Sequence, residues 1–484
     1  MKRKQCILIM TDTQRHDMIG GQHTPNLNRL ASQGKVFKKA YTTQPVCGPA
    51  RSAIFTGTYP HTNGMTSNSM SLNQLSNTLG DYLYNRDIAS GYIGKWHLDG
   101  GDYFGNGICP QGYMPDYWYD MRNYLDDLSK EDRIKSRQFE TVLAGVDESF
   151  TFGHRCSNYA LDFIEKHKDK EFMLVVSYDE PHDPYIMPKS FYELDHTIDH
   201  NLDELSDLSP DHIKLWSDKS KSFYKTTSLT EEAKRLYACN SYVDYEIGRV
   251  LEAIETSAPD ALIIYTSDHG DALGDHGIHS KGPAMYDSIT KIPFIIKWQD
   301  NIQTGSSDRL ISHIDILPTC LDYFDLNIPS HLEGRSLLNT LDDQPEDQDA
   351  VFMEFTRYEI DHDGFGGFQP IRCIRDNRYK LIINLLTLDE LYDLNTDPHE
   401  KINLIHSESH ADTRNQLHQK LLNWMNQTRD PYRGYYWEQR PWNKDFIPTW
   451  DYSGMTRQRP TGDDQPRQLD YATGLEIKEL VRRK

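Results

Sequence analysis

Apolar positions in this chain fall into short continuous runs separated by segments of helical spacing. Cys6-Ile-Leu-Ile-Met10 is the first such run, the pattern of a strand buried on both faces of a parallel sheet. Ile88–Ile93, Glu171–Ser177 and Ala261–Tyr265 repeat it. Ile292–Trp298 adds another strand, whose Pro293 suits an edge or a strand start. Thr24-Pro25 through Gly34 predicts a helix with an N-cap, a proline at its first position and a closing glycine. Thr78 to Leu83 also reads as helical. Leu236, Tyr242, Val243, Ile247, Val250, Leu251 and Ile254 recur at helical spacing and predict a long amphipathic helix. Strand and helix alternate to about residue 325. That alternation predicts an α/β fold with a large, mostly parallel sheet flanked by helices on both faces.

The pattern then changes. Leu341–Asp349 is acidic, contains a proline and reads as a linker. Beyond it, Val351–Phe355, Ile371–Ile374 and Tyr379–Ile383 predict an antiparallel sheet, the last two joined as a hairpin through Asp376-Asn377. Leu391-Tyr-Asp-Leu394 adds a strand and Thr413–Trp424 a helix, and the tail from Asp430 is crowded with Tyr, Trp, Pro and Arg. At 484 residues the chain is too long for one ordinary core. The expected organisation is a large domain over 1–345 and a smaller α+β domain over 346–484 with an antiparallel sheet, a helix and an aromatic wrapping tail. Residues 99–150 are rich in Gly, Tyr and charge with weak periodicity, and read as an insertion over the sheet face that shapes a pocket.

A net charge of −21 argues against a nucleic-acid backbone as partner. An anionic substrate must then be drawn in by a local basic pocket. The seven cysteines (6, 47, 109, 156, 239, 320 and 373) are scattered and show no CxxC pair, which fits reduced thiols. Met1-Lys-Arg-Lys4 precedes an apolar run too short for a signal-peptide core, and no stretch approaches a membrane span. A cytoplasmic protein with no membrane partner is expected, or a periplasmic or secreted one if a leader was removed.

Four predicted strand ends carry polar clusters. Asp12 follows the first strand and Asp268-His269 a later one; each alone reads as a cap or a solvated loop acid. Together they suit a hard divalent cation with room for one nitrogen ligand. Lys95 and His97 follow the second strand, His182 sits in Glu180-Pro-His-Asp-Pro184, and Lys281 lies in His279-Ser-Lys-Gly-Pro283. Taken singly these are a loop lysine, a stiff turn and another loop lysine. Cys47, opening a predicted helix, lies where the helix dipole favours a thiolate, although a lone cysteine reads as a small buried hydrophobe.

The spacing Cys47-Gly-Pro49-Ala-Arg51, with Thr56-Gly57 behind it, resembles the signature of the type I sulfatases, which convert this cysteine to formylglycine. The other motifs stand in that family's order. The resemblance implies an alkaline-phosphatase-like fold and a hydrated aldehyde whose hydroxyl attacks the sulfur of a sulfate ester. It also implies metal ligation by Asp12, Asp268, His269, the residue at Cys47 and Thr13. Thr13 stands where the family has a second aspartate, which leaves open what completes the sphere. The implied ion is calcium, with manganese or magnesium as alternatives. Arg51, Lys95 and Lys281 would neutralise the non-bridging sulfate oxygens. His182 would protonate the leaving alkoxide, Asp268 would accept a proton from the nucleophile, and His97 would take the proton that restores the aldehyde.

Gly94-Lys-Trp-His-Leu-Asp-Gly-Gly-Asp102 is similar to bacterial carbohydrate sulfatases. The polar and aromatic loop residues Asp99, Asp102, Tyr103, Arg357, His362 and Gln369 are candidates for gripping a sugar. The implied partners are a sulfated mono- or oligosaccharide and a formylglycine-generating maturase. Two alternatives stay open: a phosphonate monoester or phosphodiester hydrolase using the same nucleophile, and a non-catalytic binder of sulfated sugars.

Overall fold

The computed structural model describes residues 3–100, 103–196, 202–299, 301–338, 349–365, 367–443 and 472–475. Its main sheet has eight strands in the order β4 (Trp118–Tyr119), β3 (Ala89–Gly94), β5 (Phe172–Ser177), β1 (Gln5–Thr11), β6 (Leu262–Ser267), β7 (Phe294–Lys297), β2 (Lys35–Tyr41) and β8 (Gly305–Ser312). All neighbours pair parallel except β7, which is antiparallel to both β6 and β2. Pro293 therefore marks a strand start inside the sheet, not an edge.

Strands β1, β5 and β6 are buried along their whole length, as their unbroken apolar runs predict. Side chains alternate across the sheet. Ile7, Ile9, Leu174, Val176 and Ile263 pack with Val243, Ile247, Val250 and Ile254 of the helix Leu229–Ser257 and with the helix Phe152–His167. Leu8, Met10, Val175 and Ile264 pack on the other face with Ile54 and Phe55 of the helix Cys47–Thr56, and with Leu317 and Leu321 of the helix Ile316–Tyr323. Each such side chain contributes about 1.5–3 kcal/mol on burial.

Two strands have no signal in the apolar pattern. Strand β8 reads Gly-Ser-Ser-Asp-Arg-Leu-Ile-Ser and is largely uncovered over its first half; it is an edge, where charge is tolerated. Strand β2 keeps Lys38 exposed between buried positions, so its pattern is broken by lysines. The insertion over 99–150 contributes β4 and the short helices Met121–Asp126, Lys130–Lys135 and Glu140–Ala144.

A second sheet has the antiparallel order β12 (Glu390–Asp393), β11 (Tyr379–Asn384), β10 (Phe368–Asp376) and β9 (Ala350–Arg357). The hairpin of β10 and β11 turns at Asp376-Asn377 as the sequence predicts. Both sheets lie in one compact unit, Met1–Ile405, tied by contacts such as Lys380 Nζ to Asp287 Oδ1 (2.5 Å). The second unit is His406–Lys484 and contains the helix Ala411–Gln427. Composition divides the chain between the two sheets at 345/346, whereas packing divides it at 405/406. The acidic run 341–348 and most of the aromatic tail lie outside the described residues. All seven cysteines are free thiols. No described helix is long and apolar enough to cross a membrane.

Register levels the strand ends. Met10 is paired with both Ser177 and Thr266, and Gly94 with Ser177. Residues leaving β1, β3, β5 and β6 therefore emerge side by side at the carboxyl edge, the ligand-binding edge of parallel sheets. Gly94 makes that exit possible for β3: its φ is 115°, and a Cβ there would sit 1.9 Å from the Ser177 carbonyl oxygen. Gly94→Ala is expected to cost about 3 kcal/mol or more of stability, read as a lowered unfolding midpoint. An unchanged midpoint would refute this close approach.

Candidate active site

Asp12 leaves β1, Lys95 and His97 leave β3, Asp179 and His182 leave β5, and Asp268 and His269 leave β6, so the level strand ends converge. Cys47 is the first residue of its helix and lies buried among them. Its Sγ is 3.1 Å from His269 Nε2 and 3.7 Å from Asp12 Oδ1. Donor atoms of Asp12, Cys47, Asp268 and His269 all lie within 4.8 Å of one another.

Arg51, one helical turn on from Cys47, is fully buried. Its Nη2 meets Asp12 Oδ2 at 3.1 Å, its Nε meets Asp268 Oδ2 at 3.1 Å, and its Nη1 donates to Lys95 O and Ser177 Oγ, each at 2.7 Å. Lys95 Nζ lies 2.8 Å from Asp12 Oδ2 and 3.0 Å from Asp179 Oδ1. The outer carboxylate oxygens are thus engaged by cations, which leaves Asp12 Oδ1 facing the thiol.

The donor set fits a divalent cation. His269 Nδ1 is fixed 2.9 Å from the Gly270 carbonyl oxygen, which makes it the donor and leaves the Nε2 lone pair directed inward. Burial, then the neighbouring Asp12, pushes the Asp268 carboxyl up to about 7. Two buried carboxylates repelling each other in this way are what a cation between them would relieve. Burial also opposes charge on Asp12, but Lys95, His182, Arg51 and His269 outweigh it and hold that carboxyl well below the usual range. For Cys47, burial and Asp12 work against the thiolate, and Lys281, Lys95 and His269 overcome them and lower its pKa.

Thr13 bridges the two aspartates. Its hydroxyl donates to Asp12 Oδ1 at 2.7 Å, and its amide donates to Asp268 Oδ1 at 3.2 Å. Thr13 buttresses the two aspartates. Its φ of 65°, with 60° at His97 and 62° at Ser280, places strained backbone around the site. His97 is buried, and its pKa is lowered by burial against a hydrogen bond with Cys47.

On the open side, Lys281 Nζ lies 2.7 Å from His182 Nε2 and 3.5 Å from Thr13 Oγ1. Asp183 Oδ1 is 3.0 Å from His182 Nδ1. Burial and Lys281 disfavour a charged His182 ring, whereas Asp183 and Asp12 favour it and raise its pKa to about 10. At 2.7 Å one nitrogen must offer a lone pair, so Lys281 and His182 contest a proton that either can hand on.

The expected sugar contacts divide. Tyr103 joins the site: its hydroxyl donates to Asp179 Oδ1 at 2.5 Å, and its ring lies 3.8 Å from Lys95 Nζ and 5.4 Å from the His182 ring. Asp99 instead organises the insertion, accepting from the Asn106 amide at 2.8 Å. Arg357 is paired with Asp363 at 2.9 Å, 5.0 Å from the Phe368 ring. His362 lines a cavity of about 310 Å³ with Trp216, Phe223, His279 and Tyr358. The Gln369 side-chain oxygen is buried without a partner among the described residues. Asp102 lies outside the described residues. Sequence reasoning passed over Asp179, which holds both Lys95 and Tyr103; its signal was its place just ahead of the Pro-His motif at the same strand end.

Comparison with known proteins settles the family. Residues 4–326 match the sulfatase family, and residues 274–427 match the family described as N-sulphoglucosamine sulphohydrolase, C-terminal. The chain belongs to the sulfatase family. It is therefore a sulfuric ester hydrolase by family. It is 41% identical over 492 residues to the uncharacterised sulfatase YidJ of Escherichia coli (strain K12), covering 98% of this chain and 97% of that one. It is 27% identical to the N-acetylglucosamine-6-O-sulfatase of Bacteroides thetaiotaomicron, covering 89% of this chain and 87% of that one. The solved structure of BT4656 in complex with its substrate D-glucosamine-2-N,6-O-disulfate superposes with a TM-score of 0.68 at 22% identity, over 89% of this chain and 99% of that one. That likeness establishes the shared alkaline-phosphatase-like fold.

Glu180 fixes the loop that carries His182 in this sulfatase. Its Oε1 accepts from the Gly153 amide at 2.9 Å, its Oε2 has no partner among the described residues, and burial, with Asp179, raises its pKa to about 8. The unfolded chain loses this proton near pH 4.3. Between there and about pH 8 the folded chain keeps it, so this group makes stability fall as pH rises. Glu180→Gln is expected to remove that slope, gaining on the parent by up to about 1.4 kcal/mol per pH unit in denaturant unfolding at pH 5.5 and 7.5. Parallel pH dependences in the two proteins would refute it.

Proposed function

We propose that this chain is a formylglycine-dependent sulfatase acting on a sulfated saccharide, with a divalent cation, calcium by family resemblance, held by Asp12, Asp268, His269 and the residue at position 47. The observation that carries this reading is Cys47 at a helix start, inside the carboxylate–imidazole cluster, with Lys281 and Lys95 close enough to lower its pKa. The sugar class is supported by the likeness to an N-acetylglucosamine-6-O-sulfatase and by Tyr103, an aromatic ring beside the proton-donating pair.

Conversion of Cys47 by a maturase would supply, as the aldehyde hydrate, a hydroxyl nucleophile. A cation in the cluster would polarise the sulfuryl oxygens. The chain's own groups do the rest. Lys95 and Lys281 compensate the sulfate charge in a buried setting, where preorganised charges count most. His182, steadied by Asp183, protonates the departing alkoxide. His97, buried against Cys47, takes up the proton released at position 47.

Cys47→Ser, produced with an aerobic maturase, is expected to lose essentially all turnover while staying folded; full activity would sink the formylglycine reading. The matured enzyme is expected to turn over at least one sulfated mono- or disaccharide well above an aryl sulfate and an aryl phosphonate monoester. Inert sugars with fast phosphonate hydrolysis would favour the alternative activity. His182→Ala is expected to slow sugar sulfates by about 10²-fold or more and an activated aryl sulfate much less. Equal losses on both would remove His182 from the acid role.

A further inference from the structure

Beside the catalytic groups lies a second cavity of about 390 Å³ lined by acids, cations and aromatic rings. Lys281, Thr13 and Asp183 are the lining residues it shares with the active site. Glu232 and Asp271 line it as well, among the rings of Tyr185, Phe223 and Tyr224. Two cations, Lys281 and Arg235, share the wall with these acids. The Nε of Arg235 donates to Glu231 Oε1 at 2.9 Å and its guanidinium lies 4.0 Å from the Phe139 ring centre. His279 stacks on Phe223 with ring centres 4.8 Å apart, and burial lowers its pKa, which disfavours a charged ring at neutral pH.

Glu232 accepts a hydrogen bond from Tyr185 OH at 2.6 Å. Burial nevertheless raises its pKa to about 7; the Tyr185 hydrogen bond opposes the rise, Asp271 and Asp183 add to it, and the Arg235 charge opposes it. Asp271 is 8% exposed, and its Oδ1 accepts from the Leu273 amide at 2.8 Å. Buried and half-buried carboxylates beside aromatic faces are a setting that favours an organic cation, through ion pairing and the ring quadrupoles together.

We propose that this cavity is the subsite for the leaving alcohol and selects one that carries a cationic nitrogen, so that the preferred substrate is a dipolar sulfate ester with an ammonium group near Glu232 and Asp271. The proposal rests on the sulfatase reading above and narrows it to an amine-bearing alcohol, either an amino sugar with a free amine or a small amino alcohol. An N-acetyl group removes the charge while keeping the ring, so acetylation is the discriminating change.

The test measures kcat/KM of the matured enzyme on glucosamine sulfated at O3 and at O6, on the N-acetylated and glucose counterparts, on choline sulfate, and on 4-nitrophenyl sulfate. At least one ester with a cationic nitrogen is expected to exceed its neutral counterpart by about tenfold or more, the scale of one hydrogen bond to a charged group. Glucosamine sulfates leading would identify an amino sugar, and choline sulfate leading an amino alcohol. Glu232→Gln is expected to erase most of that preference, read as the ratio of kcat/KM on the charged ester to that on its neutral counterpart. Equal rates for charged and neutral esters in the parent enzyme would overturn the proposal without any variant. A Glu232→Gln protein that loses rate on all esters alike would do the same. Failure to turn over any sulfate ester, the aryl sulfate included, would overturn the underlying sulfatase reading instead.

Discussion

The buried guanidinium of Arg51 is the constraint on which the rest of the site depends. One planar cation spans Asp12 at the end of β1 and Asp268 at the end of β6, and its remaining donors hold the Lys95 carbonyl after β3 and Ser177 at the end of β5. Four strand ends are thus clamped by one side chain. Two carboxylates at zero exposure would otherwise repel and shed charge, and a cation removed from such a pair leaves an uncompensated buried charge. A lysine lacks the fork that meets four groups in one plane. Arg51 sits in the helix that Cys47 opens, so the same clamp sets where the sulfur lies.

This arrangement explains what the sequence made legible. A strand buried on both faces must be a continuous apolar run, and a parallel sheet must present its strand ends at one edge; both follow from backbone geometry. Hence Asp12, Lys95, His182 and Asp268 could be placed near one another before any coordinates. Strands β2 and β8 were illegible because their residues meet solvent or lysine stems for part of their length, and nothing then enforces a pattern. The roles of Thr13 and Asp179 were hidden for another reason. Each acts through a contact distant in sequence, Thr13 with Asp268 and Asp179 with Lys95 and Tyr103. Chain order carries no trace of such distances. Among the expected sugar contacts, Arg357 had its charge met by Asp363 six residues away, a pairing that polarity alone could not reveal.

Thr13 has a consequence for the charge balance. With a hydroxyl in place of a second carboxylate, the cluster holds two acids, one imidazole and the sulfur, all inside 4.8 Å. Arg51 and Lys95 already draw on the outer oxygens of those acids. A bound divalent cation would therefore be less fully neutralised by its ligands and would present more net positive charge to a sulfuryl group. Lys281 stands on the substrate side, where it adds to that field without competing for the same oxygens.

The field has to work against the rest of the molecule. The chain carries −21 overall, yet at Cys47 the charges of Lys281, Lys95 and His269 outweigh burial and Asp12. At physiological salt a charge is felt over roughly 8 Å, so the acidic surface governs approach and the buried cations govern only the last contact. Repulsion at the surface grows with the number of charges a ligand brings. A single sulfate ester crosses that barrier at small cost, whereas a densely sulfated chain meets it at every unit outside the pocket. Net charge and local charge of opposite sign therefore act together as a filter. On the reading proposed above, such a filter would favour compact esters whose one sulfate can be buried.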